Sequence, residues 1–143
     1  RLAIDVGSAR IGVAVSEGTL ALPLESISAT DNPVARVIEI AEQKQASVVY
    51  VGLPLNLKGN FTASTQSAIE FAKLIAEQGI SVRMIDERLT TKSAQQMLQL
   101  SGKKVKESRE YIDAQAAALI LDFALNSERG NLAGVALDDI TDR

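Results

Sequence analysis

Three acidic positions stand where a strand should be closing or a helix opening. They are Asp5 in "LAIDVGSARIGVAVS", the neighbours Asp86 and Glu87 in "ISVRMIDERLTT", and Asp113 in "YIDAQAAALILDFALN". Aspartate is disfavoured in strands, and a carboxylate at the end of a buried strand loses hydration unless something pairs with it. Each acid has a plain account: Asp5 can bond to turn amides, Asp86 and Glu87 can pair with Arg83 or Arg88, and Asp113 can answer a helix dipole. Gathered in one place they would repel, and clustered acids either raise a pKa or bind a cation. With oxygen donors alone that cation should be hard, Mg²⁺ or Mn²⁺. Such ions, paired about 4 Å apart, activate a water and steady the leaving oxygen of a phosphodiester. Arg10, Arg88, Lys92 and the basic stretch 103–109 would then hold phosphates.

The composition narrows the chemistry in the same direction. The chain has no cysteine and no histidine, which removes disulfides, thiol nucleophiles, Ser–His–Asp triads and the usual zinc sites. Catalysis must run on carboxylates, hydroxyls, Lys, Arg, backbone amides or a hard metal ion. The net charge of −3 argues against a polyanionic partner on average, but the charge is uneven. Residues 81–112 hold seven basic residues against four acids, and residues 113–143 hold two against six. The stretch "SGKKVKESRE" (101–110) is either a solvated loop or a phosphate-binding one.

The elements that must position these residues are legible in the hydrophobic pattern. "RLAID", "IGVAVS" and "LALPLESIS" are strand-like runs joined too tightly for crossover helices, so they form an antiparallel meander. "TDNPVARVIEIAEQKQ" (30–45) turns helical, with Asp31 or Asn32 to cap it and Pro33 in its first turn. "ASVVYVGLPL" (46–55) reads as a strand covered on both faces. A helix over 62–79 stops at Gly79, "ISVRMI" (80–85) is the fifth strand, and helices over 90–102 and 111–126 follow. The expected fold is α/β: a five-stranded mixed sheet, the meander plus two parallel strands, with helices on both faces.

At 143 residues one domain is expected. It should span residues 1–126, with 127–143 as an acidic, flexible tail. No apolar run reaches the roughly 20 residues of a membrane span and no signal peptide is visible, which predicts the cytoplasm. In such a sheet the carboxyl ends of parallel strands gather at one edge, where ligands commonly bind. Asp5, Asn56, Asp86 and Glu87 all fall there. Asp113 shares the apolar stripe of the last helix with Ala117, Ile120, Leu121 and Ala124, and nearby alanines permit close approach to the sheet.

Together "IDVGSARIGVAVS", "VVYVGLPLNLKG", "MIDERLTT" and "IDAQAAALIL" resemble the YqgF/RuvX family, bacterial proteins described as Holliday junction resolvases and as pre-16S rRNA nucleases. The resemblance runs from about residue 2 to 125, and four motifs in order are far more specific than one D-x-G. It implies an RNase H-like fold, a divalent-metal-dependent nuclease, and Asp5, Glu87 and Asp113 as the catalytic and metal-binding triad. The choice of Glu87 over Asp86 rests on the resemblance; alternation along a strand says only that the two point oppositely. Arg10, Asn56, Arg88, Thr90 and Thr91 match motif positions as site-shaping or phosphate-contacting residues, with Lys92 beside them.

The expected function is endonucleolytic cleavage of structured nucleic acid, foremost 5′-end processing of pre-16S rRNA. The alternative is resolution of branched DNA, which needs two active sites and hence a homodimer rather than a monomer. Two readings from other classes compete. An actin- or sugar-kinase-like nucleotide binder also begins with D-x-G but needs a second lobe, and tight ATP binding would reveal it. A non-catalytic RNase H-like assembly factor would keep the acids without cleaving.

Overall fold

The computed structural model describes residues 1–90, 109–128 and 130–140. The chain opens with the expected meander, β1 (Leu2–Val6), β2 (Arg10–Glu17) and β3 (Leu20–Ser28), turned between β2 and β3 by Gly18 at φ 61°. Helix α1 (Pro33–Gln43), strand β4 (Val49–Leu53), helix α2 (Ala63–Ala76) and strand β5 (Val82–Asp86) follow. A single 3-10 turn, Glu87–Leu89, closes β5, and helix α3 spans Arg109–Ser127. The helix expected over 90–102 lies outside the described residues, apart from Thr90.

Strand order is β3-β2-β1-β4-β5-β6, with β1, β4 and β5 parallel and the outer pairings antiparallel. The sheet therefore has six strands, not the expected five. The sixth, β6 (Val135–Ala136), comes from the stretch read as tail. It is two residues long, too short for alternation to mark it. Gly134, at φ 67°, sits so close to the carbonyl oxygen of Met84 that a Cβ there would lie 2.2 Å from it. Pro23 is accommodated because β3 is an edge strand, where a missing ladder donor costs nothing.

Alternation divides the sheet into two faces. Leu2, Ile4, Val13, Val51 and Met84 pack with α1 and α2, whereas Ala3, Ala14, Tyr50 and Ile85 pack with α3. The α3 side is built from small residues: Ala114, Ala117, Ala118 and Ala124 are buried, and the helix crosses β3, β2, β1 and β4. α2 starts with a reciprocal capping box between Thr62 and Thr65. α1 does not use the side-chain cap expected of Asn32. That residue sits in the left-handed region at φ 50° and its side chain makes no cap bond, so the start of α1 rests on Pro33.

Candidate active site

Asp5 is the last residue of β1 on the α3 side, one pleat beyond Ala3 and followed by Val6. Its cross-strand partner on β2 is Gly12, and Gly12 in turn faces Ser26 on β3. A row of Asp5, Gly12 and Ser26 thus crosses three adjacent strands about 4.8 Å apart. On the other flank, the parallel pairing of Ile4 with Val51 brings Gly52 next in line to Asp5. The missing side chains at Gly12 and Gly52 make room for the other two acids.

Gly52 admits Glu87. A Cβ at Gly52 would lie 2.5 Å from Glu87 Oε1 and 2.8 Å from Ile120 Cδ1. The Glu87 carboxyl therefore lies over β4 and meets Asp5 in a side-chain hydrogen bond. Burial first, then that hydrogen bond and the negative charges of Asp5 and Asp86, push the Glu87 pKa up to about 8. Near neutral pH Glu87 holds its proton and donates it toward Asp5.

Gly12 admits Asp113. A Cβ at Gly12 would lie 2.0 Å from the Asp113 carbonyl oxygen, so the first turn of α3 rests directly on β2. The Asp113 carboxylate accepts from Arg10 Nε at 2.6 Å and from Ser26 Oγ at 3.2 Å. The backbone of Asp113 thus lies one strand away from Asp5, while its charge is answered by Arg10. Among the described residues no group of three Asp, Glu, His or Cys is close enough to hold one metal ion. The structure brings Asp5 and Glu87 into contact and leaves Asp113 beside them, bound to the arginine expected to hold phosphate.

The remaining expected residues divide. Asp86 turns to the opposite face from Glu87, where it accepts from the backbone N–H of Arg88 at 2.9 Å and from its guanidinium at 2.6–3.0 Å. Asn56 shapes the β4–α2 loop, its Oδ1 accepting from the N–H groups of Lys58 at 3.0 Å and Asn60 at 2.9 Å. Thr90 is buried and its hydroxyl donates to the Glu87 carbonyl at 3.0 Å, so it fixes the turn that carries Glu87. Thr91, Lys92 and the basic loop lie outside the described residues. Sequence reasoning missed Gly12, Gly52 and Ser26. Two glycines inside strand patterns were the available signal, since such glycines often mark close approach.

Residues 1–127 match the family model described as "RuvX: Holliday junction resolvase". A "Putative pre-16S rRNA nuclease" of Leifsonia xyli is 46% identical over 134 residues, covering 90% of this chain and 86% of the relative. A protein of the same name from Corynebacterium jeikeium is 45% identical over 139 residues, covering 93% of this chain and 90% of the relative. Among solved structures, T. thermophilus RuvC in complex with Holliday junction substrate superposes with TM-score 0.60 at 20% identity, over 92% of this chain and 97% of that one. The last likeness is one of fold, the RNase H-like arrangement.

Proposed function

The chain belongs to the RuvX family, and we propose that it is a divalent-metal-dependent endonuclease whose cellular task is 5′-end processing of pre-16S rRNA in the cytoplasm. One observation carries the reading: two carboxyl groups from distant segments, Asp5 and Glu87, are pressed together at the carboxyl ends of parallel strands, with Glu87 driven to keep its proton. A fold does not keep such a pair for stability, because burial and like charge both work against it. Their oxygens suit Mg²⁺ or Mn²⁺ as donors.

Asp5 and Glu87 would hold the ion, joined by Asp113 once its carboxylate leaves Arg10. A bound divalent ion supplies charge neutralisation at the phosphodiester and a more acidic water. Asp5 contributes carboxyl oxygens from β1, a central strand of the sheet. Glu87 must release the proton on its carboxyl before it can bind a cation. Arg10, half-exposed beside Asp113, is placed to exchange that carboxylate for a substrate phosphate. Resolution of branched DNA by a homodimer is the second reading, supported by the description of the family.

The test is cleavage of a pre-16S rRNA 5′-end mimic and of a four-way DNA junction, each with and without Mn²⁺, by the native chain and by Asp5→Asn. Metal-dependent cleavage of the RNA that Asp5→Asn abolishes, with an unchanged circular dichroism spectrum, is the expected result. Equal cleavage by Asp5→Asn removes Asp5 from the mechanism. Preference for the junction moves the assignment to the second reading.

A further inference from the structure

On the opposite face of the sheet from the Asp5–Glu87 pair, the ends of β4 and β5 enclose a cavity of about 140 Å³. The apolar half of its lining comes from Leu53, Leu55 and Met84 on the sheet side, Phe61 just before α2, and Val135 and Ile140 from the chain's last described stretch. Three charged residues, Asp86, Arg88 and Asp139, form the polar part of the lining. Arg88 spends Nε and Nη2 on Asp86. Its Nη1 lies over Gly59, 3.1 Å from where a Cβ would sit, and makes no hydrogen bond among the described residues. Asp139, exposed at the end of a second 3-10 turn, Leu137–Asp139, likewise has no hydrogen bond or ion pair among them. Among the described residues, one cationic donor and one anionic acceptor without a hydrogen-bond partner therefore line the same cavity.

We propose that this cavity is a subsite for one unpaired nucleobase of the substrate, and that the base is cytosine. The assignment rests on the nuclease reading above and names a feature of its substrate. Three arguments converge. A cavity of about 150 Å³ admits a single benzene ring, so this one takes one ring rather than a purine bicycle. Apolar and aromatic walls are what an extruded base packs between. Cytosine presents an amino donor, which a carboxylate accepts, beside ring acceptors that a guanidinium can address. Asp139 and Arg88 offer that complement. Uracil would set a carbonyl oxygen against Asp139. Asp86 and Glu87 are consecutive, so a strand running over the end of β5 could place a base in the slot and a phosphate near the carboxyl pair.

Hairpin RNAs carrying a single bulged C, U, G or abasic site, fluorescently labelled, would be titrated with the full chain in metal-free buffer and followed by anisotropy. The bulged C is expected to bind about tenfold tighter than U or the abasic site. Asp139→Asn should reduce the C-over-U ratio to about one, and Val135→Trp, which fills the slot, should bring C down to the abasic level. Equal affinity for all four hairpins overturns the subsite, as does a C preference untouched by both variants. Cleavage of the same hairpins with Mn²⁺ separates the two proposals. Asp5-dependent cleavage without base preference removes the slot and leaves the nuclease. Base-selective binding without cleavage keeps the slot and removes the nuclease.

Discussion

Two carboxyl groups that share a hydrogen bond behave as one proton-binding unit, and Asp5 with Glu87 should do so across the physiological range. The Glu87 pKa is raised to about 8, against roughly 4.3 for a glutamate in an unfolded chain. The folded state therefore keeps a proton that the unfolded state releases. Stability is fully present below the unfolded value, declines as pH rises toward 8, and is level above it. The metal-free protein should lose thermal stability between pH 5 and 8, and Glu87→Gln should flatten that slope and melt higher at pH 8. A melting temperature independent of pH in the native protein would refute the shared proton. A second readout follows from the same linkage: Mn²⁺ binding at pH 7 should release about one proton, seen by calorimetry in buffers of different ionisation enthalpy. In the sequence, alternation said only that Asp86 and Glu87 point to opposite faces, and the choice of Glu87 came from the family resemblance. The bare Cα of Gly52 clears the space that Glu87 fills, and that pairing depends on strand register, which local pattern does not carry.

At the scale of elements, the site exists because a helix lies unusually close to a sheet. α3 reaches β2 only because Gly12 has no side chain, and the carbonyl of Asp113 occupies the space a methyl would need. Gly12→Ala should force α3 off the sheet at its first turn, with a cost of about 2–3 kcal/mol by urea denaturation. Gly52→Ala strikes the flexible end of Glu87 instead, so it should cost less stability while lifting the carboxyl from Asp5. The expected signature is loss of the pH-dependent melting slope in Gly52→Ala with its retention in Gly12→Ala. If Gly12→Ala proves neutral in stability, the close approach of α3 is not what the structure describes. The alanine-rich stripe of α3 and the apolar run of β4 were legible because burial imposes a regular pattern on them. The sixth strand was not, because two residues cannot show a period. The start of α1 was legible in Pro33, although Asn32, its N-cap, takes a left-handed backbone and makes no side-chain cap bond.

Across the whole molecule, the first and last described segments are tied together at the end of the sheet away from the acids. The Arg1 guanidinium donates to Glu128, Nε to Oε2 at 3.0 Å, and the Tyr50 hydroxyl donates to the same carboxylate while accepting from the Ala133 N–H at 3.1 Å. Arg83 donates from Nε to the Ala133 carbonyl at 2.5 Å and from Nη2 to the Gly134 carbonyl at 2.8 Å. These bonds hold β6 against β5, the strand that leads into Glu87, and they cover an edge whose unpaired N–H and C=O groups would otherwise invite another chain. They explain how an acidic segment with little apolar periodicity contributes to the sheet: it is recruited by polar bonds to Tyr50 and Arg83, which hydrophobic pattern does not report. Tyr50 is buried, so Tyr50→Phe would leave the Ala133 N–H without its acceptor, while Glu128 keeps Arg1. A buried N–H left without an acceptor costs about 1–3 kcal/mol, and the variant should melt several degrees lower. A chain ended at residue 128 goes further, since it bares the β5 edge and removes one wall of the proposed base slot. That variant should self-associate with rising concentration in sedimentation velocity, while Tyr50→Phe should not. A truncated chain that keeps both the native melting temperature and the native sedimentation coefficient would show that β6 neither covers nor stabilises the β5 edge.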